Sequence, residues 1–232
     1  MTEPTPHVLT RESIRSSRIR DMIRARGEDH VLSDQELIDT RLDMFPGRRI
    51  DSDVWVFGYG SLMWNPGFPF IEQKPAHLIG YHRAFCIYSH HYRGRPNTPG
   101  LVLGLDSGGS CDGVAFRVAA VDWLDAVTYL NERELIGYAY RPAVVTVEIA
   151  GETIDTYTFV ADTDHPQYAG DLGLQRSAAL IMNAEGIAGL NRDYLINTVQ
   201  QLEDRGYEEP ELRRLMEHIG ALTGIIDQGS GI

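Results

Sequence analysis

Short apolar and alternating runs fill the middle of the chain, and longer stretches with helical spacing stand on either side of them. Four runs from Val54 onward read as strands: VWVFGYG at 54–60, HLIGYHRAFCIYS at 77–89, LVLGL at 101–105 and GVAFRV at 113–118. SGGS at 107–110 reads as a turn that makes a hairpin of the third and fourth. A helical period over Val121 to Glu134 comes next. AVVTVEI at 143–149 and TIDTYTFVA at 153–161 then alternate on either side of Ala150 and Gly151, which predicts a second hairpin. From Asp171 to Thr223 the pattern predicts three helices, interrupted near Gly186 to Gly189 and Gly206 to Pro210.

Ahead of the strands, Ile14, Ile19, Met22 and Ile23 fall within one half of a helical wheel. Ser33 precedes Glu36 by three, the spacing of a capping box, and Leu37, Ile38, Leu42 and Phe45 continue with helical period. Pro46, Gly47 and Asp51 end that stretch, so the expected division is a helical extension over residues 1–50 and a main domain over 51–232. Strands clustered in the middle and joined mostly by hairpins predict an α+β fold, with a small mixed or antiparallel sheet closing toward a barrel and helices flanking it.

Composition narrows the function classes. Acidic residues outnumber basic ones by 33 to 21, a net charge of −12, so the positive footprint that phosphate backbones require is missing and nucleic acid is not an expected partner. Six arginines between Arg11 and Arg26 stand against Glu12 and Asp21, and they read as a solvated basic helix face rather than a transit peptide or membrane-surface helix. No run of eighteen apolar residues occurs and the first residues lack the apolar core of a secretory signal, which makes the cytoplasm the expected location and a membrane an unexpected partner. Cys86 and Cys111 are the two cysteines; each sits in an apolar or alternating stretch and reads as a free buried thiol.

Two stretches could carry chemistry. The turn FGYGSLMWNPGF at 57–68 follows an apolar strand directly, so its backbone amides emerge at a strand end where an anion could be held; Gly58 and Gly60 could equally serve only a tight exit. It matches neither GxGxxG, because position 63 is Met63, nor a phosphate loop, nor a nucleophile elbow, because Ser61 is followed by Leu62 and Met63. In YLNERELIGY at 129–138, Glu132, Arg133 and Glu134 occupy the end of a helix, where an acidic group opposes the dipole and is either solvated or held by something else. Arg83 and Tyr138 are plausible second contributors, with an exposed Arg and a packed Tyr as the plainer alternatives. His90 and His91 are adjacent on a strand and point to opposite faces, and His82 with His90 has no supporting carboxylate or thiolate, so a metal centre is not expected.

Together the two stretches resemble the ChaC-like family of γ-glutamylcyclotransferases. VWVFGYGSLMWNPGF at 54–68 is similar to its glycine-serine signature, GYHRAFCI at 80–87 to the strand that follows, and YLNERELIGY to the segment holding its catalytic glutamate. RGRPNTPG at 93–100 and, more weakly, HPQYAG at 165–170 and GLNRDYL at 189–195 extend the likeness, which covers the chain from about residue 54 to the C-terminal helices. The resemblance implies a γ-glutamylcyclotransferase-like barrel fold, cyclising cleavage of glutathione to 5-oxoproline, and no cofactor or metal. It also implies that Val56, Phe57, Gly58, Tyr59, Gly60 and Ser61 form the substrate-binding turn and that Glu134 is the acid/base residue. An ordinary Glu is a weak base for that task, so the chemistry predicts a partly buried Glu134 with a raised pKa. Two other roles stay open: a regulator linked to cation transport, and a cyclotransferase acting on other γ-glutamyl amines or amino acids.

Overall fold

The computed structural model describes residues 52–135 and 139–223, together with Ser33, Gln35, Glu36 and Asp39. The described residues from 52 onward divide into two compact units, one of 52–83, 104–135 and 139–168, the other of 84–103 and 169–223. The expected helical extension over 1–50 lies almost wholly outside the described residues. Its capping box is seen: Ser33 N donates to Glu36 Oε2 at 2.7 Å, and Glu36 N donates back to Ser33 Oγ at 3.2 Å.

The five long strands form a closed barrel. They are β1 (Val54–Gly58), β2 (Glu72–Ser89), β3 (Gly100–Val118), β4 (Tyr140–Ile149) and β5 (Glu152–Ala161), in the order β1-β3-β2-β4-β5. β1 pairs antiparallel with β3, with Phe57 opposite Ala115, and parallel with β5, with Val56 opposite Tyr157. That one parallel pairing closes the barrel and makes it mixed. β1 has neighbours on both edges and its later residues are buried on both faces, which is why it reads as a near-continuous apolar run. Where β1 lies against β3 the backbones are close: a Cβ on Gly113 would sit 2.5 Å from the Gly58 carbonyl oxygen and 2.6 Å from the Phe57 ring.

The expected hairpin at SGGS is corrected. Residues 100–118 form one strand, and Gly108 (φ 92°) and Gly109 (φ 68°) kink it without ending it. Long strands of a closed barrel must bend, and glycine supplies the bend without a turn. The second predicted hairpin is present, with Ile149 opposite Glu152 across a two-residue loop in which Ala150 (φ 52°) and Gly151 (φ 86°) both take positive φ. This is the loop geometry that matches strand twist, and it favours Asn-Gly over Ala-Gly. Ala150→Asn should therefore stabilise the protein by about 0.5–1 kcal/mol, or about 1–4 °C in Tm. A thermal melt showing no gain would refute this reading of the loop.

Helix α1 (Trp123–Glu134) lays Trp123, Ala126, Val127 and Leu130 into a core shared with Val56, Phe116, Val118, Tyr157 and Phe159. Each fully buried side chain of this kind contributes about 1.5–3 kcal/mol through area removed from water. The Trp123 ring meets Tyr157 edge-on, with centroids 5.4 Å apart. The Tyr157 hydroxyl, buried among apolar groups, needs an acceptor and donates to Asn131 Oδ1 at 2.5 Å.

The second unit carries α2 (Gly173–Asn183), the short pair β6 (Glu185–Gly186) and β7 (Gly189–Leu190), α3 (Asn191–Glu203) and α4 (Pro210–Thr223). These are the three predicted helices, with a two-stranded hairpin at the first interruption. At the second, Gly206 N donates to Glu203 O and Tyr207 N to Leu202 O, the paired bonds of a Schellman stop. Asn191 is fully buried, and its side chain donates to Leu101 O and accepts from Leu101 N, both at 2.7 Å, as a strand neighbour would.

Candidate functional site

The candidate site lies within the first unit, where β1 ends. After Gly58 the chain turns through Tyr59 and Gly60 into a single 3-10 turn, Ser61–Met63. Met63 N donates to Gly60 O at 2.8 Å and Asn65 N to Ser61 O at 2.9 Å. The first amides of such a turn have no acceptor within it. Val56 and Phe57 are fully buried and support the turn from the core: Val56 lies in the cluster with α1, and the Phe57 carbonyl accepts from Thr158 Oγ1 at 2.9 Å.

Two arginines fix the turn. Arg83, on β2, is 4% exposed; its Nε donates to Tyr59 O and its Nη2 to Asp112 O on β3. The plainer alternative of an exposed Arg is thus set aside. Arg133, on α1, has a side chain only 2% exposed. Its Nη2 donates to Ser61 Oγ at 2.7 Å, and its Nη1 donates to Asn65 O at 2.6 Å and to Tyr129 OH at 3.2 Å.

Glu134 is the last residue of α1, and its Oε1 lies 3.0 Å from Arg133 Nε. Of the two readings for an acidic group opposing the helix dipole, the structure selects the second: the carboxylate is held, by a neighbouring guanidinium. Its side chain is 22% exposed. Burial pushes its pKa above the ordinary carboxylate value, and Arg133 offsets part of that rise. A carboxyl shifted upward this way is suited to taking and returning a proton near neutral pH. One chain therefore runs from the glycine turn through Ser61 and Arg133 to Glu134.

Arg83 stands among the contributors that the sequence suggests, whereas the part played by Arg133 is what sequence reasoning passed over. The signal for Arg133 was its place beside Glu134 in NERE, but nothing in the sequence said that it turned toward the core. Tyr138 lies outside the described residues. His77 Nδ1 and Asp112 Oδ1 pair at 2.6 Å on the surface of the barrel, and no group of three or more His, Cys, Asp or Glu is gathered for a metal ion among the described residues. Cys86 and Cys111 are buried free thiols; burial raises the Cys111 pKa to about 11, which leaves it an unreactive thiol at neutral pH. Among the described residues no helix is long and apolar enough to cross a membrane.

A family model described as ChaC-like protein matches residues 54–222. A protein of Escherichia coli named glutathione-specific gamma-glutamylcyclotransferase is 37% identical over 173 residues, which cover 74% of this chain and 75% of that one. Gamma-glutamylcyclotransferase 2-3 of Arabidopsis thaliana is 32% identical, covering 72% of this chain and 88% of its own. The crystal structure of a yeast gamma-glutamyl cyclotransferase specific to glutathione superimposes with a TM-score of 0.64 at 20% identity, over 78% of this chain and all of that one, and so shares the fold.

Proposed function

We propose, on the premise that the chain belongs to the ChaC-like protein family, that it cleaves the γ-glutamyl bond of glutathione by intramolecular cyclisation, releasing 5-oxoproline and Cys-Gly. The relatives' names supply the substrate class. The observation that carries the chemistry is the largely shielded Glu134 carboxyl, with its pKa raised by burial and with Arg133 binding it to the Ser61 turn.

The reaction needs little from the protein beyond geometry and a proton carrier. Glutathione holds its own nucleophile, the free α-amino group, which closes a five-membered ring on the γ-carbonyl carbon. Well-oriented intramolecular attack reaches effective molarities of about 10⁵–10⁸ M, so folding the γ-glutamyl group into that conformation is a large part of catalysis. Ser61 is not required as a covalent nucleophile. An α-amino group has a pKa of about 8, so deprotonating it at pH 7 costs only about 1.4 kcal/mol. The Cys-Gly nitrogen is the harder problem, because it must leave as an amine and not as an amide anion. In this reading Glu134 accepts the proton of the attacking amine and delivers it to the leaving nitrogen.

The turn from Val56 to Ser61 holds the γ-glutamyl group, with Val56, Phe57 and Gly58 as its buried support and backbone N–H groups of the stretch from Tyr59 to Ser61 serving the α-carboxylate or the oxyanion of the tetrahedral intermediate. On the same reading, residues 51–232 are the catalytic domain and residues 1–50 a helical extension outside the chemistry. The reaction as written uses no cofactor and takes place in the cytoplasm, the compartment that suits two free buried thiols. Purified protein incubated with glutathione should release 5-oxoproline and Cys-Gly in equal amounts, measured by mass spectrometry, and should be inert toward an N-acylated glutathione whose amine cannot attack. Release of free glutamate in place of 5-oxoproline would refute cyclisation.

A further inference from the structure

The contacts around Ser61 have a directional consequence. Arg133 has no acceptor atom, so in the 2.7 Å contact the guanidinium donates and Ser61 Oγ accepts. The hydroxyl therefore keeps its own hydrogen, and no acceptor for it is found among the described residues. Asn65 O and Tyr129 OH take the other arm of the same guanidinium, and Glu134 takes its Nε, so the fork is held in plane at three points within a side chain that is 2% exposed. A lysine could not satisfy this arrangement, because it presents one ammonium in place of a planar fork.

Resting on the cyclotransferase reading, we propose that Arg133 is a positioning residue that sets the spacing between Glu134 and Ser61, and that it turns the Ser61 hydroxyl into a hydrogen-bond donor to a carboxylate or carbonyl oxygen of the γ-glutamyl group. Ser61 then touches substrate; Arg133 acts through Ser61 and Glu134. Among the described residues, the charged group facing the Glu134 carboxylate is Arg133 itself, whose guanidinium pulls the proton affinity of Glu134 down against burial.

Four proteins test this with glutathione as substrate: the unaltered chain, Ser61→Ala, Arg133→Met and Arg133→Lys. Circular dichroism and kcat are read at each pH. Ser61→Ala should fold normally and lose about 10- to 100-fold in kcat/KM, the loss expected when a donor to a charged acceptor is removed. Arg133→Met should lose at least about 10²-fold in kcat, as expected for a misplaced acid/base group, and the acidic limb of its pH profile should move to higher pH because the opposing cation is gone. Arg133→Lys should return that limb toward its original position without restoring kcat. A purely structural role would lower the active fraction and leave the limb where it was. The inference is overturned if Ser61→Ala keeps normal kcat/KM, or if both Arg133 variants keep the original limb. Should Arg133→Met fail to fold, Ser61→Ala and Arg133→Lys still decide the matter. If the unaltered chain does not convert glutathione to 5-oxoproline, it is the functional reading that fails; if it does and the variants behave normally, only this inference fails.

Discussion

Glu134→Gln is expected to lower kcat for glutathione cyclisation by about 10²- to 10⁴-fold, the range for loss of a general acid/base group, while glutathione still binds. Gln keeps the size and one acceptor oxygen, so its contact with Arg133 Nε can persist, but it can neither take the ammonium proton nor return it to the leaving nitrogen. Glu132→Gln is the internal control. It removes the same charge two residues earlier on α1, where the side chain leaves the helix in another direction, and kcat should stay within a few-fold. Glu134→Gln makes a second, opposite prediction for stability. A Glu whose folded pKa lies above its unfolded value binds more protons when folded, so its contribution to stability is present at low pH and is lost as pH rises through the raised pKa. Gln does not titrate. The variant should match the parent at acid pH and become the more stable of the two toward neutrality, read as the difference in Tm against pH. Near-normal kcat with a normal fold would remove Glu134 from its role, and a Tm difference that does not grow with pH would refute the raised pKa.

Arg83→Met should be the most damaging change away from the acid/base group. Met fills the same stem volume but has no donors, so the carbonyl of Tyr59, in a buried bond, and that of Asp112, in a part-buried one, both lose a charged hydrogen-bond partner. Two such bonds at about 1.5–3 kcal/mol each put the expected cost at about 3–6 kcal/mol, or about 6–24 °C in Tm for a chain of this size. Because one of those carbonyls belongs to the glycine turn, kcat/KM should also drop by about 10²-fold even at temperatures where the variant is fully folded. A variant within 2 °C and two-fold of the parent would show that the turn holds its shape without Arg83.

Much of this arrangement could be read from the residues in order. The apolar run at 54–57, the Ala150-Gly151 hairpin, the helix ending at Glu134 and the three later helices all have local causes, namely periodicity, turn chemistry and stop signals. What escaped had non-local causes. SGGS has the composition of a turn, and only the barrel's demand for long bent strands keeps residues 100–118 continuous. In β2 the inward positions run Ala76 and Leu78 before Gly80 (φ 95°) but Arg83 and Phe85 after it, so the bend moves the alternation by one residue and carries an arginine inward where strict alternation would leave it outside. The turn and Glu134 stood out through resemblance, whereas Arg133, which joins them, is visible only once α1 lies beside the end of β1.

The parallel pairing of β1 with β5 sets the order in which the protein can be made. Trp55 and Thr156 are about a hundred residues apart along the chain, so the contact that closes the barrel is among its least local. During synthesis β1 leaves the ribosome long before its second neighbour exists, and its open edge must wait for β4 and β5 to emerge as a hairpin. Such pairing is slow to form and exposes apolar strand while it waits. The glycine turn is carried on the end of that same strand, so the candidate site is completed only with the last closure. A nascent or truncated chain lacking β5 would offer a sticky edge and no catalysis.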